Sequence, residues 1–249
     1  GIAFLQKAVA YAEGELAISP DDLLLEFCDA IIGNHYPVPD RMLKNCETIC
    51  AAYFRREMGA GRPFDEPFDL FATEGGTAAM TYVFQTLKEN KLLHQGDTIA
   101  IGVPIFTPYI EIPELNDYQF VEVEVTASED QSWQIPDAEI DKLLDPQIKA
   151  FFLTNPSNPP SVKIQDETIN RIVELVKTKR PDLIVLTDDV YSTFTDGFVS
   201  LFAALPQNTI GVYSYSKYFG ATGWRLGVIA VAEDNVLDRL LGELPEADK

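Results

Sequence analysis

Beyond position 68 the chain alternates between two rhythms of apolar and polar residues. Short apolar runs at 69–73, 98–103, 120–125, 149–154 and 183–187 read as buried strands. Between them the apolar positions take helical spacing, as in Met80, Val83, Phe84 and Leu87 after Gly76, and Ile169, Ile172, Val173 and Val176 within 166–179. Strands alternating with helices predict an α/β fold, a mostly parallel sheet covered by helices on both faces. Two further runs, 209–214 and 226–231, flank a polar bend. The roughly ten residues between them are too few for a parallel crossover with its helix, so this pair is expected to be antiparallel. The result is a mixed sheet with one antiparallel strand after the bend.

The first 60 residues show helical spacing alone. Residues 2–12 read as a helix with no cap before it, as if the chain had been cut inside or beside a helix. Ser19, Pro20, Asp21 and Asp22 form a helix start: a hydroxyl cap, a proline in the first turn, and carboxylates at the positive end. An apolar stripe of Leu23, Leu24, Phe27 and Ile31 follows, then a break at 33–39. Met42, Leu43, Cys46, Ile49, Cys50, Tyr53 and Phe54 carry the next helix to Gly59. The organisation expected is an N-terminal helical segment at 1–60 and an α/β unit at 61–249, ending in the beginning of another helix.

Composition narrows the classes of partner. The 249 residues are 46% hydrophobic and 23% charged, ordinary values for a globular chain. A formal charge of -20 argues against nucleic acid or an anionic membrane as partners. No apolar run approaches the ~18 residues of a membrane helix and no signal segment opens the chain, so a cytoplasmic location is expected. Cys28, Cys46 and Cys50 are too few for a disulfide framework. Cys46 and Cys50 lie one helical turn apart and could meet His35 at a metal, but no fourth ligand is suggested, and no metal site is expected.

The chemistry centres on 213–227, where an apolar strand runs into hydroxyls, one lysine, glycines and an arginine. Lys217, set between two apolar strands, is expected to be desolvated, which lowers an amine's pKa and makes it a usable nucleophile toward an aldehyde. Ser214 and Ser216 offer hydroxyl donors and Arg225 a forked cation, a set suited to a phosphate. The bland alternative is a surface lysine in a glycine-rich hairpin. Other strand ends are also polar, and in a doubly wound sheet ligands sit beyond the carboxyl ends of the strands. Gly75, Gly76 and Thr77 precede a helix and offer free backbone donors to an anion, or else make a plain tight turn. Phe106 is either a flat stacking face or a core ring. Asn155 opens a proline-stiffened loop, and Asp188 with Tyr191 closes a strand, where an acid capping a turn is the simpler reading.

Taken together and in chain order, these residues resemble the site of the fold type I pyridoxal-phosphate enzymes, the aspartate aminotransferase superfamily. The resemblance implies pyridoxal 5'-phosphate as cofactor. It implies that Lys217 is the covalent anchor, that Gly75, Gly76, Thr77, Ser214, Ser216 and Arg225 hold the phosphate, and that Phe106 stacks on the ring. It also implies that Asn155 and Tyr191 bind the ring oxygen, that Asp188 keeps the ring nitrogen protonated, and that Tyr109 faces the substrate. Tyr36 matches a tyrosine that reaches the neighbouring subunit's phosphate, implying a homodimer with shared sites. Asn158 stands where the family's loop has glycine, which leaves that loop's path open.

Three longer segments, 36–43, 104–115 and 155–163, are similar to the aspartate 4-decarboxylase family, bifunctional enzymes that also transaminate. That resemblance implies loss of the side-chain carboxylate of aspartate as carbon dioxide to give alanine, with Lys217 as general base. It covers only the middle of such a protein. The family's arginine for the substrate α-carboxylate lies in a C-terminal small domain, so this stretch alone is expected to be a poor catalyst or none. The rivals are a plain aspartate or broader aminotransferase and a non-catalytic aminotransferase-like binding domain.

Overall fold

The computed structural model describes residues 1–33, 36, 41–62, 64–115, 117–124 and 132–245. Three helices come first: α1 (Ile2–Leu16), α2 (Pro20–Ile32) and α3 (Lys44–Met58). The expected start of α2 is present, since the Ser19 hydroxyl accepts from the Asp22 N–H at 3.1 Å and Gly33 closes the helix in the left-handed region at φ 62°. Its apolar stripe behaves differently from the pattern. Only Leu23 is buried, packing with Ala12 and Ile18, whereas Leu24, Phe27 and Ile31 are exposed, Ile31 to 85%. Periodicity identifies a face, but the face is buried only where another element meets it.

The α/β unit runs β1 (Phe68–Thr73), α4 (Gly76–Glu89), β2 (Thr98–Val103), α5 (Pro108–Glu114), β3 (Gln119–Glu124), α6 (Asp137–Ile140) and β4 (Ile148–Thr154). It continues through α7 (Asp166–Lys179), β5 (Ile184–Asp188), α8 (Leu201–Ala204), β6 (Thr209–Ser214), β7 (Gly227–Ala232) and α9 (Val236–Glu243). The seven strands form one sheet in the order β1-β7-β6-β5-β4-β2-β3. All neighbours from β6 to β3 are parallel, while β7 runs antiparallel to both β6 and β1. The mixed, mostly parallel sheet expected from the pattern is therefore present, with β7 as its single reversed strand.

Strand alternation builds the layers. Ile99, Ile101, Ala150, Phe152, Ile184, Leu186, Ile210 and Val212 face a core shared with Met80, Val83, Phe84 and Leu87 of α4. Ala100, Phe151, Leu153 and Val185 point to the opposite face, against Ile169, Ile172, Leu175 and Val176 of α7. A third cluster joins Phe54 and Met58 of α3 to Leu70, Tyr213, Val228 and Ala230, which ties the N-terminal helices to the β1–β7–β6 edge. Fully burying each Val, Leu, Ile, Phe or Met side chain among these stabilises the fold by about 1.5–3 kcal/mol relative to exposure.

This topology directs several loops to one place. The carboxyl ends of β1, β2, β4, β5 and β6, and the start of β7, all fall on the same edge of the sheet. Val125, expected to end the third strand, and His35 lie outside the described residues. Among the described residues, no cluster of three or more His, Cys, Asp or Glu could hold a metal ion. No described helix is long and apolar enough to cross a membrane.

Candidate active site

A cavity of about 170 Å³ opens at that carboxyl edge. Its walls include Gly76 and Thr77 from the start of α4, Phe106 and Tyr109 after β2, Thr154 and Asn158 around the end of β4, and Asp188 and Tyr191 after β5. Ser214, Ser216, Lys217, Thr222 and Arg225 close it from the β6–β7 connection. Ten of the sequence-predicted residues thus surround a single space.

The anion end is built by close backbone approach. Gly75 has φ 110°, and a Cβ there would stand 2.4 Å from Nη2 of Arg225, so only glycine fits. Gly75 therefore sits behind the wall rather than in it. Gly227, the first residue of β7, is equally constrained, because its Cβ would lie 2.7 Å from the Gly75 carbonyl carbon. Arg225 itself is left-handed, at φ 58°, and donates to the Thr222 and Glu74 carbonyls at 2.8 and 2.7 Å. These bonds fix the guanidinium across the gap between the β6–β7 connection and the β1–α4 turn. The Ser214 hydroxyl donates to that of Ser216 at 3.0 Å, and both side chains are buried.

The opposite end is acidic and dry. Asp188 is buried, with Oδ1 accepting from the Val190 N–H at 3.0 Å and Oδ2 from the Tyr109 hydroxyl at 2.6 Å. Burial pushes its carboxyl up to about 6, against the opposing pull of those two donors and of the Lys217 charge. Burial, and then the charge of Asp188, also raise the Tyr191 phenol. Asn155 is buried beside this end. Its Oδ1 accepts from the Ile164 N–H at 2.9 Å, while its Nδ2 has no partner. The Thr154 hydroxyl, in the cavity wall, is likewise buried without a partner. Buried polar groups are seldom left unpaired, so the Thr154 hydroxyl in the wall offers a polar ligand a partner; Asn155, next in the chain, is not itself among the residues lining the cavity.

Two expectations change. Lys217 is exposed rather than buried between strands, because strand pairing ends at Ser214–Gly227 and the chain leaves the sheet before the lysine. It nevertheless lines the cavity. Tyr109 directs its hydroxyl to Asp188, so the polar tip expected to face a substrate is already engaged. Tyr36, expected to serve a neighbouring subunit, is 90% exposed and lies outside the wall of this chain's own cavity, which does not conflict with that expectation. Pattern reading missed Thr154, Val190 and Thr222; the one signal available was the position of Thr154 directly before Asn155 at a strand end.

These features fit pyridoxal phosphate. The glycine cradle with its fixed guanidinium suits a phosphate, the exposed flank of Phe106 a flat ring, and the unpaired Asn155 amide a ring oxygen. Asp188 suits a protonated ring nitrogen, and Lys217 an aldehyde.

Comparison with known proteins agrees. A bifunctional aspartate aminotransferase and L-aspartate beta-decarboxylase from a Pseudomonas species is 54% identical over all 249 residues, which span 47% of that protein. The chain thus covers about half the length of this curated relative. An aspartate aminotransferase from Thermus thermophilus, solved with maleate, superposes with a TM-score of 0.68 at 21% identity, over 87% of this chain and 54% of that one. Cystalysin from Treponema denticola, solved with pyridoxal 5'-phosphate, gives 0.61 at 19% identity, over 76% and 48%. At such identities these two structures speak for the fold alone. Residues 38–242 match the family described as aminotransferase class I and II, and the chain belongs to that family.

Proposed function

We propose that this chain holds pyridoxal 5'-phosphate in the cavity and that the protein acts on aspartate, releasing its β-carboxylate as carbon dioxide to give alanine and also transferring its amino group. One observation carries the cofactor reading: Asp188, Lys217 and Arg225 share one cavity with the unpaired Asn155 amide beside it. The choice of aspartate rests on the likeness to the Pseudomonas protein. When bound, the cofactor supplies an aldehyde that captures amines and a ring that accepts electrons.

The chain's own groups divide the remaining work. Arg225, Ser214, Ser216 and Thr77, with the glycine turn, bind the phosphate, and Phe106 and Asn155 orient the ring. Asp188 holds a proton on the ring nitrogen, with Tyr191 alongside to donate to the ring oxygen. Lys217 Nζ would hold the cofactor's aldehyde and would serve as the base that takes the α-proton of aspartate and as the acid that returns a proton during product formation. All of these residues fall in 61–249, the unit we assign to cofactor binding. Residues 1–60 carry Tyr36, which we assign to the phosphate of a second subunit in a homodimer.

Among the described residues lining the cavity, Lys217 and Arg225 are the only cations, and both have tasks. The α-carboxylate of aspartate therefore lacks a dedicated arginine, and we expect the 249-residue chain to load the cofactor but to turn aspartate over poorly. Borohydride reduction after incubation with pyridoxal phosphate, followed by peptide mass spectrometry, should place the cofactor mass on Lys217, and Lys217→Ala should abolish the label. A label elsewhere, or none, overturns the reading. In the whole protein, alanine and carbon dioxide measured against oxaloacetate separate the decarboxylase from a plain aminotransferase.

A further inference from the structure

Behind the connection that carries Lys217 lies a cluster of thiols and phenols that the cavity does not use. Cys46 and Cys50 stand one turn apart on α3, so both side chains lie on the same face of the helix. Cys50 is buried with Phe54 and Tyr213, while Cys46 and Tyr215 pack at the margin of that cluster, partly open to solvent. The ring of Tyr215 lies 5.8 Å from that of Tyr53 and 5.1 Å from that of Tyr213, and its hydroxyl is buried without a hydrogen bond. A buried hydroxyl left unpaired is uncommon, and this one faces Cys50. The Cys46 thiol pulls the Cys50 thiol down, against burial, and Tyr215 adds to that pull. Thiolate character governs attack on an oxidant as much as exposure does.

We propose that Cys50 is a site of reversible oxidation by hydroperoxides, and that its sulfenic acid is retained between the Cys46 thiol and the Tyr215 hydroxyl. The Cys50 sulfur attacks one oxygen of the peroxide; an S–O bond forms and the O–O bond breaks. Sulfur gives up two electrons, the attacked oxygen stays on it, and the other oxygen leaves as hydroxide or alkoxide and takes a proton from solvent. Such an oxidant is a neutral molecule, which the formal charge of -20 does not repel. The added oxygen gives the Tyr215 O–H the acceptor it lacks. Helix geometry disfavours a disulfide with Cys46, since side chains one turn apart hold their Cβ atoms about 5–6 Å apart and a disulfide needs about 3.5–4.5 Å. Glu26 fastens that turn, its two carboxylate oxygens accepting from the Asn45 and Cys46 N–H groups at 2.8 Å each. None of Glu26, Cys46, Cys50 and Tyr215 lines the cavity, so cofactor loading plays no part in the oxidation. The modified sulfur nevertheless sits close to the anchor, because Tyr215 and Phe219 stack 5.7 Å apart, two residues to either side of Lys217.

The test is to treat the full chain with limiting hydrogen peroxide, quench it into denaturant with excess dimedone and N-ethylmaleimide, and map the peptides by mass spectrometry. Dimedone should mark Cys50 about tenfold faster than the exposed Cys28, and dithiothreitol added before the quench should remove the mark. Cys46→Ala should slow marking of Cys50 about tenfold by removing its thiol partner. Tyr215→Phe should shift the product toward sulfinic acid at the same peroxide dose. Marking of Cys28 before Cys50 overturns the proposal, as does a Cys46–Cys50 disulfide as the main product or an unchanged Cys50 rate in Cys46→Ala. Should either variant fail to fold, the order in which Cys28 and Cys50 are marked in the wild-type chain decides alone.

Discussion

Asp188 and Asp189 give the ligand-free protein a definite pH dependence. Burial raises the two carboxyls to about 6 and about 7, whereas an unfolded aspartate titrates near ~3.9. Between those values the folded chain binds more protons than the unfolded one, so stability falls as pH rises from about 4 to about 7. Thermal unfolding should therefore occur at a higher temperature at pH 5 than at pH 8. Asp188→Asn can keep its contacts with Val190 and Tyr109 without the charge, and should gain about 2–3 kcal/mol at pH 8 and much less at pH 5. Chemical denaturation at the two pH values would check this, and equal gains at both would contradict it. Asp189, whose carboxylate takes the hydroxyls of Thr187 and Ser200, faces away from this chemistry and fastens the end of β5 to the start of α8.

The anion cradle depends on elements distant in sequence. The bond from Arg225 to the Glu74 carbonyl joins residues 151 positions apart, and Gly75 and Gly227 let the backbones approach closely enough for it. Gly75→Ala should force the guanidinium aside and weaken binding of pyridoxal phosphate at least tenfold, while binding of pyridoxal, which lacks the phosphate, should change little. Titration of both compounds would show the difference. At this scale the sequence was most readable where local rules act alone. Alternation located the strands, the ten-residue gap before β7 implied its reversal, and strand-end polarity pointed to Asp188 and Arg225, which share one cavity. It was least readable where tertiary contact decides. No spacing rule shows that Lys217 clears the sheet, that the Tyr109 hydroxyl turns to Asp188, or that the apolar stripe of α2 goes mostly uncovered.

For the molecule as a whole, stability depends on a residue the pattern did not mark. Arg180 is a buried cation that donates to the carbonyls of Leu143, Asp145 and Ile148 and pairs with Asp182 at 2.8 Å. It thereby fastens the connections before β4 and β5. Arg180→Ala would remove a charged donor from the carbonyls of Leu143, Asp145 and Ile148 and should cost about 3 kcal/mol, read from a denaturant midpoint. The formal charge of -20 bears on the same scale, because the cavity gathers its cations against a negative surrounding field.

β1, the first strand made, touches the sheet only through β7, the last. During synthesis the earliest strand must therefore wait for nearly the entire α/β unit to emerge from the ribosome before it gains a hydrogen-bonding neighbour. Because Gly75 follows β1 and Arg225 precedes β7, the proposed phosphate site would be complete only with that final insertion. Cofactor uptake by a nascent chain would thus serve as a signal that the sheet has closed.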